Sequence, residues 1–203
     1  GVSAYSAGVY HLMTHAFFKA LLFLAAGSVI IGMHHEQDMR KMGGLRKYMP
    51  ITFWTSLIGT LALVGTPFLS GFYSKDTIIE AAHHAMHGGH WINVYAYWAV
   101  LLGVFVTSFY SFRLLYLTFF GKERFDVSGS QHAEPHEIHG NEAHDAHDDH
   151  HGHGGAPHES PWVVTVPLIL LAIPSIAIGF LTVGPMLFGG FFDGAIVVLP
   201  HND

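Results

Sequence analysis

His11, His15 and Lys19 follow one another at four-residue intervals inside an apolar stretch, Ser3–Ile31. Lys75 and Asp76 lie in a second apolar stretch, Pro50–Ala85, which Gly65-Thr66-Pro67 interrupts. At about 100° per residue the first three lie near 0°, 40° and 80°, one polar ridge with about 6 Å of rise between neighbours. An ionisable group in the centre of a hydrocarbon slab is disfavoured by roughly 2.5–3.5 kcal/mol or more, so such residues face a polar interior and act there. Histidine titrates near neutrality, desolvation makes an ammonium easier to deprotonate, and short water bridges can join groups at this spacing. The chemistry indicated is proton or ion transfer across a membrane. The competing reading makes both histidines hydrogen-bonded core residues and lets Lys19 snorkel. Lys19, however, is roughly twelve residues, or about 18 Å, from the inner end of its span, beyond the reach of its side chain. The i, i+4 histidines also have the spacing of helical metal ligands, but position 12 is leucine where a zinc protease motif carries glutamate. No intramembrane metal is expected.

Pro67 has no backbone N–H and its ring clashes with the Leu63 carbonyl, while Gly65 and Gly71 weaken the helix on either side. The second stretch is therefore expected to split into two half-helices around Gly65, Thr66, Pro67, Ser70 and Gly71. Unwound backbone at membrane depth is tolerated only where protein or a hydrated cavity surrounds it, and the hydroxyls of Thr66 and Ser70 are candidates to satisfy the freed groups. Lys75 falls near the start of the outer half-helix, and Asp76, one residue on, faces a different partner. Arg113 can snorkel or bond the carbonyls of the broken helix, and a structural role is expected of it.

The elements that must hold these groups are membrane spans. Of 203 residues half are hydrophobic and only 12% charged, with mean hydropathy +0.35, whereas a soluble domain carries about 25% charged residues. Ser3–Ile31, Pro50–Ala85, Trp91–Phe120 and Pro161–Pro185 each supply the roughly 20 apolar residues of a crossing. The expected fold is all-α, a polytopic transmembrane bundle with about four spans, one of them broken. Arg40, Lys41, Arg46 and Lys47 follow the first span and Lys122 and Arg124 the third, while the Ala85–His90 connection has no Lys or Arg. The positive-inside bias then makes loops 34–49 and 121–160 cytoplasmic, and Trp91, Tyr95, Tyr97 and Trp98 mark the outer headgroup level. The absence of cysteine removes thiolate metal sites and thiol catalysis. The net charge of −6 comes mostly from one acidic loop and argues for no nucleic-acid partner. Nine of the eighteen histidines lie between Gln131 and Ser160 among Asp, Glu and Gly, a composition that builds no packed core. Segment 121–160 is expected to be a disordered His-rich loop, an unconstrained insertion rather than a dedicated metal site.

The stretches YSAGVYHLMTHAFFKALLFLAAGSVI, EQDMRKMGGLRKYMP and GTPFLSGFYSKDTII, in that order, resemble the antiporter-like membrane subunits of proton-pumping NADH:quinone oxidoreductase, respiratory complex I, and most of all the distal, largest of them. The resemblance is dense over Tyr5–Arg124, looser over Pro161–Pro185 and absent from the His-rich loop. It implies a C-terminal-half fragment of a subunit built from two inverted five-helix repeats, each with a broken helix. Residues 1–120 become the antiporter-like proton-translocating region and 161–203 a further span with an outer-side segment. His11, His15 and Lys19 match the hydrated central axis, Lys75 the terminal lysine of the second half-channel, and Asp76 the acid at its exit side. The implied partners are other membrane subunits of complex I and the lipid bilayer, in the inner (plasma) membrane of a bacterium. Flavin, iron–sulfur clusters and quinone belong to other subunits. In agreement, this chain has no cysteine ligands and no Gly-rich dinucleotide loop, so neither a cofactor nor direct NADH binding is expected here. Alternatives are the large subunit of a multisubunit Na⁺/H⁺ antiporter, a divalent-metal transporter with a His-rich loop, and a scaffold.

Overall fold

The computed structural model describes residues 3–125 and 156–196. Five α-helices form an all-α bundle: α1 (Tyr5–Gly32), α2 (Pro50–Val64), α3 (Ser70–Met86), α4 (Trp91–Leu115) and α5 (Trp162–Val183), with no strand among the described residues. α1 is long and apolar enough to cross a bilayer, as are α4 extended to Phe120 and α5 extended to Phe188 by π-helical turns. α2, with 15 residues, is not; end to end with α3 it makes the interrupted crossing. The chain is a multi-pass membrane protein of the expected fold class.

Its packing mixes an apolar core, with Phe18, Leu21 and Leu168 fully buried, with many buried hydroxyls and an apolar exterior. Phe23, Trp54, Trp98, Phe105, Phe109 and Phe180 point outward, whereas the hydroxyls of Thr14, Ser28, Thr52, Thr60, Ser70, Ser74 and Ser175 are buried. Without a hydrophobic drive between helices in lipid, close backbone approach and interhelical hydrogen bonds hold the elements together. α5 is central to this, packing on α1, α2 and α3. The Tyr10 hydroxyl donates to the Gly179 carbonyl at 2.7 Å and the Ser70 hydroxyl to the Ser175 carbonyl at 2.7 Å. A Cβ at Gly179 would lie 2.5 Å from Ser70 Cα, so α3 and α5 meet there backbone to backbone.

The two basic segments are joined at one end of the bundle. Lys47 pairs with Glu123 at 3.2 Å, Arg124 donates to the Arg40 carbonyl at 3.2 Å, and Arg46 lies 4.8 Å over the Phe120 ring. Within residues 34–49, Glu36 pairs with Lys41 at 2.7 Å and Asp38 takes a fork of hydrogen bonds from Arg40. Those bonds hold the Asp38 carboxyl down at about 2. A depressed carboxylate stabilises above its unfolded pKa and ceases to do so as pH falls through its folded value, so this loop stays clamped at every physiological pH.

Residues 156–160 are docked rather than loose, and with 121–125 they narrow the expected disordered loop from both sides. Residues 126–155, with most of its histidines, lie outside the described residues. Ser160 is buried, 2.8 Å from Ser28 Oγ, which in turn is 2.6 Å from Thr52 Oγ1. α2 starts after Met49 with no side-chain cap of its own and has Pro50 at its first position. Glu159 supplies the cap from far along the chain, accepting from Ile51 N–H at 2.7 Å, Thr52 N–H at 3.3 Å and the Thr52 hydroxyl at 2.6 Å. A carboxylate there also complements the positive end of the helix dipole. Glu159→Ala is expected to lower the subunit's stability by about 1 kcal/mol, seen as an earlier midpoint in SDS-titrated unfolding followed by circular dichroism; an unshifted midpoint would refute the cap.

Candidate functional site

The site is built on the interruption between α2 and α3. Gly65 adopts φ +91°, and Thr66 N–H reaches back to the Leu61 carbonyl at 3.0 Å while Gly65 N–H donates to the Ala62 carbonyl at 3.2 Å. This is a Schellman closure, which ends a helix with a left-handed glycine and satisfies two of its last carbonyls. It leaves the Leu63 carbonyl, the group that Pro67 four residues on cannot serve. Lys75 Nζ donates to that carbonyl. The half-buried lysine thus folds back from the second turn of α3 onto the negative end of α2.

Thr66 and Ser70 do not do what sequence reasoning asked of them. Ser70 is the first residue of α3 and bonds α5, not the break, and Thr66 contributes only backbone. Gly71 lies inside α3. Its missing side chain matters for packing: a Cβ there would run into the Ala62 carbonyl, so glycine lets α3 lie against the end of α2.

Across from Lys75, His11 Nδ1 is 3.0 Å from Ser74 Oγ, and the Thr14 hydroxyl donates to the same Ser74 oxygen at 2.9 Å. Ser74 has one hydrogen and two places for it, His11 Nδ1 or the Gly71 carbonyl at 3.4 Å. In the Nε2–H tautomer of neutral His11, Ser74 donates to Nδ1 at 3.0 Å, a closer acceptor than the Gly71 carbonyl. When a proton occupies Nδ1, that N–H donates to Ser74, which turns to Gly71. The His15 ring follows at 5.6 Å from that of His11, and its other side is wedged edge-on against Phe18 at 5.2 Å. Like charges at this ring separation oppose one another, so a proton on one imidazole disfavours one on its neighbour.

Lys19 makes no hydrogen bond among the described residues; its ammonium lies 5.8 Å from the Phe23 ring centroid. It borders a cavity of about 420 Å³ between α1, α2 and α4 that extends to Gln37 and Met39 in the basic loop. Ser56, Thr60, Ser111 and Thr118 place hydroxyls along it, and Ser111 Oγ is buried with no partner among the described residues. Asp76 is exposed, on a different face from Lys75. Arg113 is exposed in an apolar groove with Leu57 and Phe105 and bonds no carbonyl of the broken helix. The described residues hold no group of three metal-donor side chains. Sequence reasoning missed Thr14 and Ser74, which look like ordinary helix-packing hydroxyls until α1 and α3 are side by side.

The family of transmembrane segments described as "NADH:quinone oxidoreductase/Mrp antiporter, TM" matches residues 1–111, more than half of the chain, including the helix break, Lys75 and the residues of the His11–Lys19 ridge. The chain belongs to that family. It is 56% identical over 200 residues to NADH-quinone oxidoreductase subunit L of Neisseria meningitidis serogroup A, covering 98% of this chain and 28% of that protein. It is 43% identical over 210 residues to NADH-ubiquinone oxidoreductase chain 5 of Marchantia polymorpha, covering 100% of this chain and 27% of the relative. The chain therefore spans just over a quarter of the length of the curated relatives it matches. The Mrp complex from Dietzia sp. DQ12-45-1b superposes with a TM-score of 0.65 over 92% of this chain and 38% of that one, and at 18% identity it shows the shared fold alone.

Two outcomes test this family member's site. Gly65→Ala forces a Cβ onto left-handed backbone and is expected to destabilise the subunit by about 1–2 kcal/mol, read as a shifted unfolding midpoint; no shift would mean that the closure is not as described. In a ¹⁵N-histidine-labelled sample, solid-state NMR should find neutral His11 as the Nε2–H tautomer, and Ser74→Ala should remove that bias. An Nδ1–H tautomer in the unmodified chain would overturn the Ser74 assignment.

Proposed function

We propose that this chain is a proton-translocating part of an antiporter-like membrane subunit of NADH:quinone oxidoreductase, seated in the inner membrane of a bacterium among the complex's other membrane subunits. The observation that carries the reading is Lys75 on the Leu63 carbonyl, with the Ser74–His11 contact beside it. A lysine so placed is desolvated and helix-bound, yet one step from histidines that can exchange protons with it through ordered water.

The side chains suggest a sequence of sites. The cavity beside Lys19 reaches Gln37 and Met39 at the basic end of the bundle, which this reading makes the cytoplasmic entrance. His15 and His11 follow one turn apart, Ser74 links α1 to α3, and Lys75 receives the proton. Asp76, on the same helix, is the acceptor toward the outer side. Six of the nine Lys and Arg residues cluster at the basic end, and the other three are Lys19, Lys75 and Arg113, which supports this orientation. The chain's residues bind and pass protons; flavin, iron–sulfur clusters and quinone are assigned to other subunits, so the energy arrives by coupling rather than by chemistry at this site. The Mrp half of the family description is compatible with a second reading, a subunit of a multisubunit Na⁺/H⁺ antiporter with the same groups in use, but does not favour it.

The test compares Lys75→Ala with Lys75→Arg in the complete gene, measuring NADH-driven proton uptake and quinone-coupled electron transfer in inverted vesicles. Arginine can hold the Leu63 carbonyl but does not release a proton. Both variants are expected to assemble and to lose pumping and coupled electron transfer together by about tenfold or more, as removal of a positioned acid–base group does. Normal pumping in Lys75→Arg would sink proton carriage by Lys75. Unchanged NADH-driven activity with altered Na⁺ exchange in both would favour the antiporter reading.

A further inference from the structure

The last two turns of α3 carry a second set of titratable side chains that the proton route above does not use. Glu80, His83, His84 and His87 stand at i, i+3, i+4 and i+7, within a sector of about 100° of the helix. All four are exposed. The His83 and His87 rings have centroids 4.8 Å apart at 89° to each other, and Glu80 Oε1 is 3.9 Å from His84 Nε2. Two histidines four residues apart on one helical face are a natural chelate, since their ring nitrogens can converge on one ion without bending the backbone.

The surroundings favour a cation. The site is at the C-terminal end of α3, where the unpaired carbonyls carry partial negative charge. No Lys or Arg occurs between Lys75 and Arg113, so no neighbouring residue in this stretch carries an ammonium or guanidinium that would repel a cation. The donors are also held in place. Tyr97 of α4 packs 5.4 Å from the His83 ring, and Asn93 Nδ2 donates to the Ala85 carbonyl at 3.0 Å, tying the helix end to the start of α4.

We propose that His83 and His87 form a seat for a borderline divalent cation, Zn²⁺ first among them, at the end of α3 remote from the break. Imidazole suits Zn²⁺, Cu²⁺ and Ni²⁺, whereas Mg²⁺ and Ca²⁺ need oxygen donors that this pair does not offer. Among the described residues no three donors converge, so the seat is a two-imidazole chelate completed by solvent, with the Glu80–His84 pair next to it. It lies about 12 Å along the helix from Lys75. It follows from the donor geometry and stands whether or not Lys75 carries protons.

The test uses the complete subunit in its purified complex with buffered free Zn²⁺. Modification by diethyl pyrocarbonate, read by peptide mass spectrometry, reports each histidine separately, so those between Gln131 and Ser160 do not obscure the result. Zn²⁺ is expected to protect His83 and His87 together, over one concentration range, and to leave His90 reactive. A first ligand must matter at least as much as the outer-shell partners whose loss weakens metal affinity about 10–100-fold, so His87→Ala should move protection of His83 to at least about tenfold higher Zn²⁺. His90→Ala should change nothing. Modification of His83 at one rate with and without Zn²⁺, or equal protection in His87→Ala, would overturn the seat, and lost protection in His90→Ala would move the site to the α3–α4 turn and overturn it equally.

Discussion

A backbone carbonyl inside a bilayer has no water to turn to, and the rest of this bundle is arranged around one of them. Pro67 denies the Leu63 carbonyl its helical donor, and an unsatisfied polar group at that depth costs several kcal/mol. The structure meets this with a charged side chain from the next half-helix. That solution requires α3 to lie against the end of α2, hence glycine at position 71. It requires α2 to end cleanly, hence left-handed Gly65. It also requires α3 to be held from behind, which α5 does through Ser175 and Gly179. Membrane proteins keep irregular backbone only where protein encloses it, and here that enclosure brings an amine and an imidazole to the same depth.

The same interior explains how charge can be held there at all. The helix interfaces are lined by serine, threonine and glycine, residues small enough for close packing and polar enough to complete hydrogen bonds between helices. In such a lining a histidine finds a hydroxyl partner in either protonation state, as His11 does with Ser74. The ionisable groups are spaced rather than paired. No carboxylate neutralises Lys19 or Lys75 among the described residues, so each group's occupancy bears on the next.

Much of this was legible in the chain before the fold. The break between Gly65 and Leu69 follows from Pro67 and two nearby glycines, and the ridge of His11, His15 and Lys19 follows from helical period. Even the exposed carbonyl was written there, since a proline's steric target is always four residues back. Its partner was not. Lys75 reads in the sequence as an ionisable group near the start of the outer half-helix, and only the fold shows it answering a backbone carbonyl. Thr14 and Ser74 were equally silent, because an isolated hydroxyl in a span has no sequence signature that separates glue from relay. The boundaries of the His-rich segment misled for a related reason: Glu159 and Ser160 share its polar composition, but their contacts are with α1 and α2, far away in sequence.

Those contacts also bear on how the chain comes into being. A ribosome adds about 5–20 residues per second, so α2 enters the membrane well before Glu159 and Ser160 exist to cap it and to complete the Ser28–Thr52 hydrogen bonds. Tyr10 and Ser70 wait likewise for carbonyls on α5. Until α5 follows, α1, α2 and α3 lack the partners that Gly179, Ser175, Glu159 and Ser160 supply to Tyr10, Ser70, the start of α2 and Ser28. Every titratable side chain of the proposed relay is thus made before the segment that completes its surroundings.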